Sequence, residues 1–465
     1  MTLLRSLIIA SLAVALARPL CALLADRGAP ARRFAWILLL APYFTPVLLT
    51  GYAYANFSLS LIHHPSINTL FYAALLCWKF TPVAAVILYF SPAPISAEAI
   101  HCRRLMQNDA AAARSDLTLL AKLNHWRFLL RAGCARDPIA AFAVVFLCTF
   151  GEMEMASLMV VKSWTVALFD ANAGGLALSE SLRRMLGPLL CEAAAVATAV
   201  FVLGRNRAHP APRTPGGGRA HWFAWTYLAI AFVFVLLIPA AMVLWGTIRG
   251  FKLLLENFVL GREIISSLLF AAGATLLAGA MVFWLSRFAR GRGFGSVIGK
   301  AILLVAVCLG LLGPLVLSLA VLAAVQMPGL LSLRDTPVPL VLTLGLVLLP
   351  LALVLKRVLE LTGYQSGLHL AALMQKSRAA RDLTWRLSTS GKFWAVVLLF
   401  IWAYWDLTAS AILAPIGMTP VTVRLYNMMH YGQIAVLSAM TCATFAAPIL
   451  ICVLALGTRR WWAPR

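Results

Sequence analysis

Long apolar runs separated by short polar segments recur along the whole chain. A bilayer core about 30 Å thick is crossed by about 20 apolar residues in a helix, and a helix satisfies its own backbone hydrogen bonds there. The pattern therefore predicts an all-α integral membrane protein with about 11 transmembrane helices. The predicted spans are Leu3–Leu24, Phe34–Phe57, Thr69–Tyr89, Pro138–Val160, Met185–Leu203, Trp222–Thr247, Ile264–Leu285, Ala301–Val325, Pro337–Leu355, Phe393–Ala414 and Ile434–Leu456.

The first apolar run has two interpretations. Arg5 and Arg18 give it some likeness to a secretory signal. The run is longer than the apolar region of such a signal, and no small-residue cleavage site precedes Asp26. We therefore expect it to be a membrane span.

Composition supports a membrane protein and excludes a disordered chain. The 465 residues are 62% hydrophobic and 12% charged, with a mean hydropathy of +0.89. A net charge of +23 would suggest nucleic-acid binding in a soluble protein, but most of the 39 Lys and Arg fall in alternate loops between the predicted spans. Loops rich in Lys and Arg stay in the cytoplasm, so we expect the N-terminus outside, the C-terminus inside and no nucleic-acid partner.

Short segments of the chain occur twice. Leu105-Met106-Gln107 returns as Leu373-Met374-Gln375 in a second predicted cytoplasmic loop. An even number of predicted spans separates the two loops, so the matched spans beside them cross the membrane in the same direction. Other corresponding pairs are Glu152 with Asp406, Ala156–Val160 with Ser410–Ala414, Thr165–Asp170 with Thr422–Asn427, and Ser6-Leu7 with Ser267-Leu268.

The repeat predicts two parallel, pseudo-symmetric permease halves. Residues 1–204 hold five predicted helices, residues 205–221 form a cytoplasmic linker rich in Pro and Gly, and residues 222–465 hold six helices. The extra helix of the second half is its first, Trp222–Thr247. Parallel repeats are typical of transporters, so we expect a translocation pathway on the axis between the halves. The alternative is that duplication only enlarged a helix bundle.

Charged residues within the predicted spans are few. Charges in a bilayer are costly and usually face an interior or a cavity. Glu152 and Asp406 occupy equivalent positions in the repeat, and Lys79 is the obvious cation. In one interpretation these residues line or gate the pathway. In the other, the acids pair with Lys79 or cap helix ends, and the sequence does not choose between the two.

No motif for catalysis, nucleotide binding or metal binding is complete in the sequence. The segment Gly293–Ala301 lacks both the spacing of a phosphate-binding loop and the Ser or Thr that would hold Mg²⁺. The metal candidates His63, His64 and His430 have no carboxylate or Cys near them in the sequence. We therefore expect no catalytic residue, no metal and no cofactor in this chain, and any ATP hydrolysis in another subunit.

Several short motifs together resemble a known family. They are Ser6-Leu7 with Leu20–Leu24, Pro42 with Pro46, Trp78–Pro82, Phe150-Gly151-Glu152, Trp405-Asp406-Leu407, and Ala409–Pro415 through Arg424-Leu425-Tyr426. With the repeat, they make nearly the whole chain similar to the fused two-half permease subunits of binding-protein-dependent ATP-binding-cassette importers, of the ferric-iron and thiamine type. The resemblance implies a location in the bacterial inner membrane, a pair of ATP-binding-cassette ATPase subunits in the cytoplasm and a periplasmic solute-binding protein.

In that family, each half docks on the ATPase through a cytoplasmic loop with Glu-Ala-Ala, three residues and then Gly. The second loop has Leu370-Ala371-Ala372 and Lys376 at these places, and the first has Cys102-Arg103-Arg104 and Asn108, so only one Ala pair matches. A register that begins at Glu98 instead puts Arg104 at the glycine. The resemblance thus implies that the ATPase-coupling residues are Leu105, Met106, Gln107, Asn108, Ala371, Ala372, Leu373, Met374, Gln375 and Lys376.

Two other functions compete with the importer permease. An ion-coupled secondary transporter would use the acidic residues of the spans, Glu152, Glu154, Glu192 and Asp406, as a proton relay. The paired basic loops with a shared motif argue against it. A membrane-embedded enzyme of lipid or glycan metabolism would need a polar cluster at one depth, and the sequence offers no such cluster.

Overall fold

α-Helices make up nearly all of the described chain in the computed structural model. The structure describes residues 1–26, 28–91, 102, 136–203, 218–257, 260–290, 294–362, 373, 387, 390–429 and 435–462. These ranges contain no β-strand. The all-α fold predicted from the apolar pattern is confirmed for them.

The helices are named here in chain order. They are α1 (Thr2–Asp26), α2 (Ala29–Phe44), α3 (Val47–Ser60), α4 (Pro65–Phe90), α5 (Arg136–Phe150), α6 (Glu154–Leu158), α7 (Trp164–Ala173), α8 (Leu178–Leu203), α9 (Gly218–Phe232), a π-helical turn (Val233–Leu237), α10 (Ile238–Asn257), α11 (Gly261–Arg290), α12 (Phe294–Leu311), α13 (Pro314–Val325), a 3₁₀ turn (Leu331–Leu333), α14 (Val338–Thr362), α15 (Ser390–Tyr404), α16 (Thr408–Leu413), α17 (Val421–Met429) and α18 (Ala435–Trp462).

Eight helices of the described ranges are long and apolar enough to cross a membrane, and the bent pair of α2 and α3 would make a ninth. Their outer faces carry large apolar side chains, such as Leu276 on α11, which is 73% exposed. A surface of this kind suits lipid rather than water. The chain is therefore a multi-pass membrane protein by composition and helix length, whereas the predicted number of 11 spans is not confirmed.

Four predicted spans are not continuous helices. Phe34–Phe57 divides into α2 and α3, Pro138–Val160 into α5 and α6, Ala301–Val325 into α12 and α13, and Phe393–Ala414 into α15 and α16. Pro46 interrupts the first of these because proline has no N–H to continue the helical ladder. In the third, Gly313 adopts φ +82° before Pro314, a conformation that only glycine takes without strain.

The succession of elements is the same in two stretches of the chain. α1, the broken pair α2–α3 and α4 have the same order as α11, the broken pair α12–α13 and α14. α5 to α8 likewise have the same order as α15 to α18. α5 and α15 have 15 residues each, while α6 has five and α16 has six. Duplication would produce this order, while the symmetry relation between the two stretches stays a prediction.

The helices form two units. Unit 1 comprises Met1–Thr45, His64–Glu152 and Leu190–Ile238. In it α1, α4 and α5 pack on one another, and small residues such as Ala10, Ala13 and Ala17 make a fully buried face of α1. Small residues at helical spacing let neighbouring backbones approach closely, which is how helices pack within membranes.

Helix α9 belongs to unit 1, although it begins the second half in the sequence. It packs against α1 and α2. Its Tyr227 hydroxyl donates a hydrogen bond to Thr81 Oγ1 on α4 at 2.7 Å. The hydrogen bond satisfies two polar groups away from water, and it ties the extra helix to residues of the first predicted half.

Unit 2 comprises Pro46–His63, Met153–Leu189 and Pro239–Arg465. Its main packing is among α11, α12, α14 and α15. It also holds α3, α6 and α7 from the first predicted half, and Leu48, Leu49 and Leu158 are buried in the same apolar core as residues of α11, α14 and α18. The halves are defined by sequence repetition and the units by contacts, so the division into 1–204 and 222–465 stays a prediction.

Two glycines one turn apart bring α10 against α18 in unit 2. A Cβ atom on Gly250 would collide with the Ala435 carbonyl oxygen, and one on Gly246 would collide with Ser438 Oγ. The spacing Gly-x-x-x-Gly permits such an approach in membrane helices. We expect Gly250→Ala to lower the free energy of unfolding by about 1 to 3 kcal/mol, because backbone atoms must move apart.

The matched control is Gly279→Ala on α11, where no atom lies within 4 Å of the added Cβ. That variant should gain about 0.5 to 1 kcal/mol from the better helix propensity of alanine. Thermal unfolding in one detergent compares the two directly. Equal melting temperatures for the two variants would contradict the close packing of α10 on α18.

Candidate functional site

Lys79 closes the end of a broken helix in unit 1. It lies on α4 and is 2% exposed. Its Nζ donates hydrogen bonds to the carbonyl oxygens of Pro42 and Tyr43, both at 3.3 Å, and to that of Thr45. These carbonyls belong to the last turn of α2 and the residue after it, where a cation is favoured by the helix dipole.

The sequence explains why α2 needs this lysine. In a continuous helix, the carbonyl of Pro42 would accept a hydrogen bond from the N–H of residue 46, but Pro46 has none. Buried carbonyl groups without a partner are costly, and no water replaces the partner within a membrane. Lys79 supplies the missing donors, so the α2–α3 break and the buried cation form one feature.

Glu152 follows the end of α5 and is 7% exposed. The Tyr72 hydroxyl of α4 donates a hydrogen bond to Glu152 Oε2 at 2.5 Å. On the other side, the guanidinium carbon of Arg5 lies 4.8 Å from the centre of the Tyr72 ring, a cation–π contact. Tyr72 and Glu152 are both buried, so their hydrogen bond lies away from solvent, beside the partly buried Arg5 of α1.

Glu192 is a second buried carboxyl group of unit 1. It lies on α8 and is 1% exposed. A Cβ atom on Gly151 would lie 3.5 Å from its Oε1, so the carboxyl is near the end of α5. Its Oε2 has no hydrogen-bond partner among the described residues. Buried carboxyl groups within membrane helices are candidates for proton or ion binding.

Asp406 holds the start of α16 in unit 2. Its Oδ2 accepts hydrogen bonds from the backbone N–H groups of Ala409 at 3.0 Å and Ser410 at 3.1 Å. Its backbone carbonyl accepts a hydrogen bond from Thr422 Oγ1 on α17 at 2.9 Å. The carboxylate thus satisfies N–H groups of the first turn of α16, as an N-terminal cap does.

Residues of the first predicted half contact α16, α17 and α18 in unit 2. Glu154 Oε1 on α6 accepts a hydrogen bond from the Leu407 N–H at 3.2 Å, immediately before α16. The other two contacts join hydroxyl groups: Ser157 Oγ on α6 lies 2.6 Å from Tyr426 OH on α17, and Tyr52 OH on α3 lies 2.9 Å from Ser438 Oγ on α18.

The predicted site residues fall in different parts of the structure. Lys79 and Glu152 lie in unit 1, and Asp406 lies in unit 2. Asp406 caps the start of α16, as the sequence allowed for the acids, whereas the bonds of Lys79 to the end of α2 were not expected. A role of these residues beside a pathway stays a prediction. Of the ten ATPase-coupling residues only Leu373 is described, and it is 65% exposed, while the other nine lie outside the described residues.

Sequence reasoning missed the tyrosines of these arrangements. Tyr72, Tyr52 and Tyr426 each form a hydrogen bond with a polar side chain from a distant part of the sequence. A tyrosine buried in a membrane helix needs a partner for its hydroxyl group, which was the available signal. The partner is distant in the sequence, so no sequence pattern identifies it. Among the metal candidates, His63 and His64 are exposed next to the start of α4, and the described ranges contain no set of residues suited to a metal ion.

Comparison with known proteins gives no match: no family profile, curated protein or solved structure is significantly similar to this chain. The function proposed below therefore rests on the residues and contacts of the chain itself.

Proposed function

We propose that this chain is the permease subunit of an ATP-binding-cassette importer in a bacterial inner membrane. Two parallel halves surround the solute pathway, the N-terminus is periplasmic and the C-terminus is cytoplasmic. Two copies of a separate ATPase bind the cytoplasmic loops, and a periplasmic binding protein delivers the solute. The chain itself carries out no covalent chemistry.

The repeated order of elements carries this proposal. In both stretches a broken apolar helix precedes a long one, and a 15-residue helix ends before an acidic residue, Glu152 or Asp406, and a very short helix. The short helices are too short to cross a bilayer, and non-helical backbone at membrane depth is tolerated where it is buried in protein or borders a water-filled cavity. The breaks therefore support a central pathway that is built from both halves.

Co-purification tests the importer proposal. The chain, tagged and expressed with its neighbouring genes, should elute with an ATP-binding-cassette ATPase, and ATP-driven uptake should appear in vesicles that contain both proteins. Isolation of a chain with no ATPase that still transports solute would overturn the proposal. The outcome would then favour a secondary transporter.

Glu192 is the observation that favours the secondary transporter as the second candidate. Its Oε2 is buried within a membrane helix without a hydrogen-bond partner in the described ranges, as expected of a site that gains and loses a proton. The two candidates differ in the energy source of uptake. An imposed proton gradient without ATP should drive transport by a secondary transporter and not by the importer.

A further inference from the structure

We infer that the contacts between the first predicted half and α16, α17 and α18 in unit 2 are the external gate of the permease. This inference rests on the proposed transport function and adds the residues that control access from outside. The gate consists of three hydrogen bonds: Glu154 with the Leu407 N–H, Ser157 with Tyr426, and Tyr52 with Ser438. Each one joins residues that are more than 250 positions apart, one from each half.

The position of these contacts follows from the predicted topology. α5 and α15 both start at loops rich in Lys and Arg that are predicted to be cytoplasmic, so both run outward. α6 and α16 follow their outer ends. Contacts from α6 to α16 and α17 therefore hold the two halves together towards the outside, and solute entering from outside requires that they separate.

An apolar cluster lies beside the hydrogen bonds. Leu168 on α7 and Met185 on α8 pack with Leu315, Val316 and Leu319 on α13. The ring of Phe169 meets that of Tyr426 edge to face, with centroids 6.1 Å apart. Apolar side chains of α7 and α8 in the first half thus pack against α13 of the second half. The hydrogen bonds determine the relative orientation of the helices that they join.

The bonds have the strength that a reversible gate needs. A typical hydrogen bond within a protein changes an equilibrium by about 2- to 12-fold, because most of its energy is offset by lost hydrogen bonds to water. A few such bonds favour the closed gate strongly without making opening inaccessible to an ATP-driven change. The loss of one bond should therefore make the gate open more often without unfolding the protein.

Cysteine alkylation from the outside measures how often the gate opens. Leu168→Cys places a thiol at a position that is 4% exposed between the halves, and a membrane-impermeant maleimide reaches it only when they separate. Peptide mass spectrometry quantifies the labelling at position 168, so the native cysteines can stay. In this background, Ser157→Ala and Tyr426→Phe should each raise the labelling rate by about 2- to 12-fold.

The double variant tests whether the two residues share one bond. If they do, Ser157→Ala with Tyr426→Phe should label no faster than the faster single variant, since the second change removes nothing more. The matched control is Tyr404→Phe, which removes the hydrogen bond from a buried tyrosine to the Thr444 carbonyl within the second half. It should leave the labelling rate unchanged.

A second cysteine position tests whether a substitution changes the reaction with maleimide in general rather than the opening of the gate. Ala167→Cys is exposed one residue before the buried position and should label at the same rate in every variant. Equal labelling at position 168 in wild-type, Ser157→Ala and Tyr426→Phe proteins would overturn the gate, and so would an equal increase with Tyr404→Phe. Because the assay needs no ATPase, a failure of the gate is distinct from a failure of co-purification, which would overturn the importer alone.

Discussion

Replacing Leu373 and Met374 with serine is expected to abolish ATP-dependent uptake and to weaken ATPase binding by tens-fold or more. Leu373 is 65% exposed in the isolated chain. A large apolar side chain gains nothing in water, whereas it contributes about 1.5 to 3 kcal/mol when a partner's groove buries it. Pull-down of the ATPase by the tagged chain and uptake into vesicles measure the two effects.

The corresponding change in the first loop, Leu105→Ser with Met106→Ser, is the internal comparison. We expect a smaller effect there, because the second loop alone keeps Ala371-Ala372 of the coupling motif. The amount of the variant chain in the membrane should stay at the wild-type level in both cases. A chain with all four serines that still binds its ATPase and transports at the normal rate would show that these loops do not couple.

Lys79→Met should cause the largest loss of stability among single substitutions in unit 1. Methionine is similar to lysine in length but has no N–H groups, so the carbonyls of Pro42, Tyr43 and Thr45 would lose a donor. Polar groups left without partners in a protein interior cost about 1 to 3 kcal/mol each. We expect a total loss of at least about 3 kcal/mol, seen as a lower melting temperature and a lower yield of monodisperse protein.

Lys356→Met is the matched control for that experiment. Lys356 lies on α14, is partly exposed and donates a hydrogen bond to Ser286 Oγ at 2.5 Å. A partly exposed lysine can be replaced at small cost, since water reaches the groups that lose it. If the two methionine variants melt at the same temperature, Lys79 does not hold the end of α2.

Hydropathy predicts the long helices well because a membrane requires both their length and their composition. The predicted span Thr69–Tyr89 lies within α4, Pro65–Phe90, and all but the first residue of Pro337–Leu355 lies within α14, which continues to Thr362. The same property cannot detect a break, because residues on both sides of it remain apolar. Pro46 and the Gly313-Pro314 pair are the local signals of two breaks. The sequence does not show which distant residue, such as Lys79, bonds the carbonyls that a break leaves without a partner.

The candidate site was predictable where the partner is close in sequence. Asp406 lies three and four residues before the N–H groups that it accepts from, which is the spacing of a local cap. The equivalent Glu152 accepts from Tyr72 instead, 80 residues away. Equivalent positions in a repeat therefore predicted two corresponding acids but not their different roles, because each role depends on partners that the repeat does not share.

The place of α3 in unit 2 determines the order in which the protein can be assembled. Tyr52 is separated from Ser438 by 386 residues, and synthesis at about 5 to 20 residues per second needs roughly 20 to 80 seconds to cover that distance. During this time α3 is already made, while α18, which completes its surroundings, is not. The early helices are therefore in the membrane before their last partner is made, and a chain that ends after α15 lacks the Ser438 partner of Tyr52.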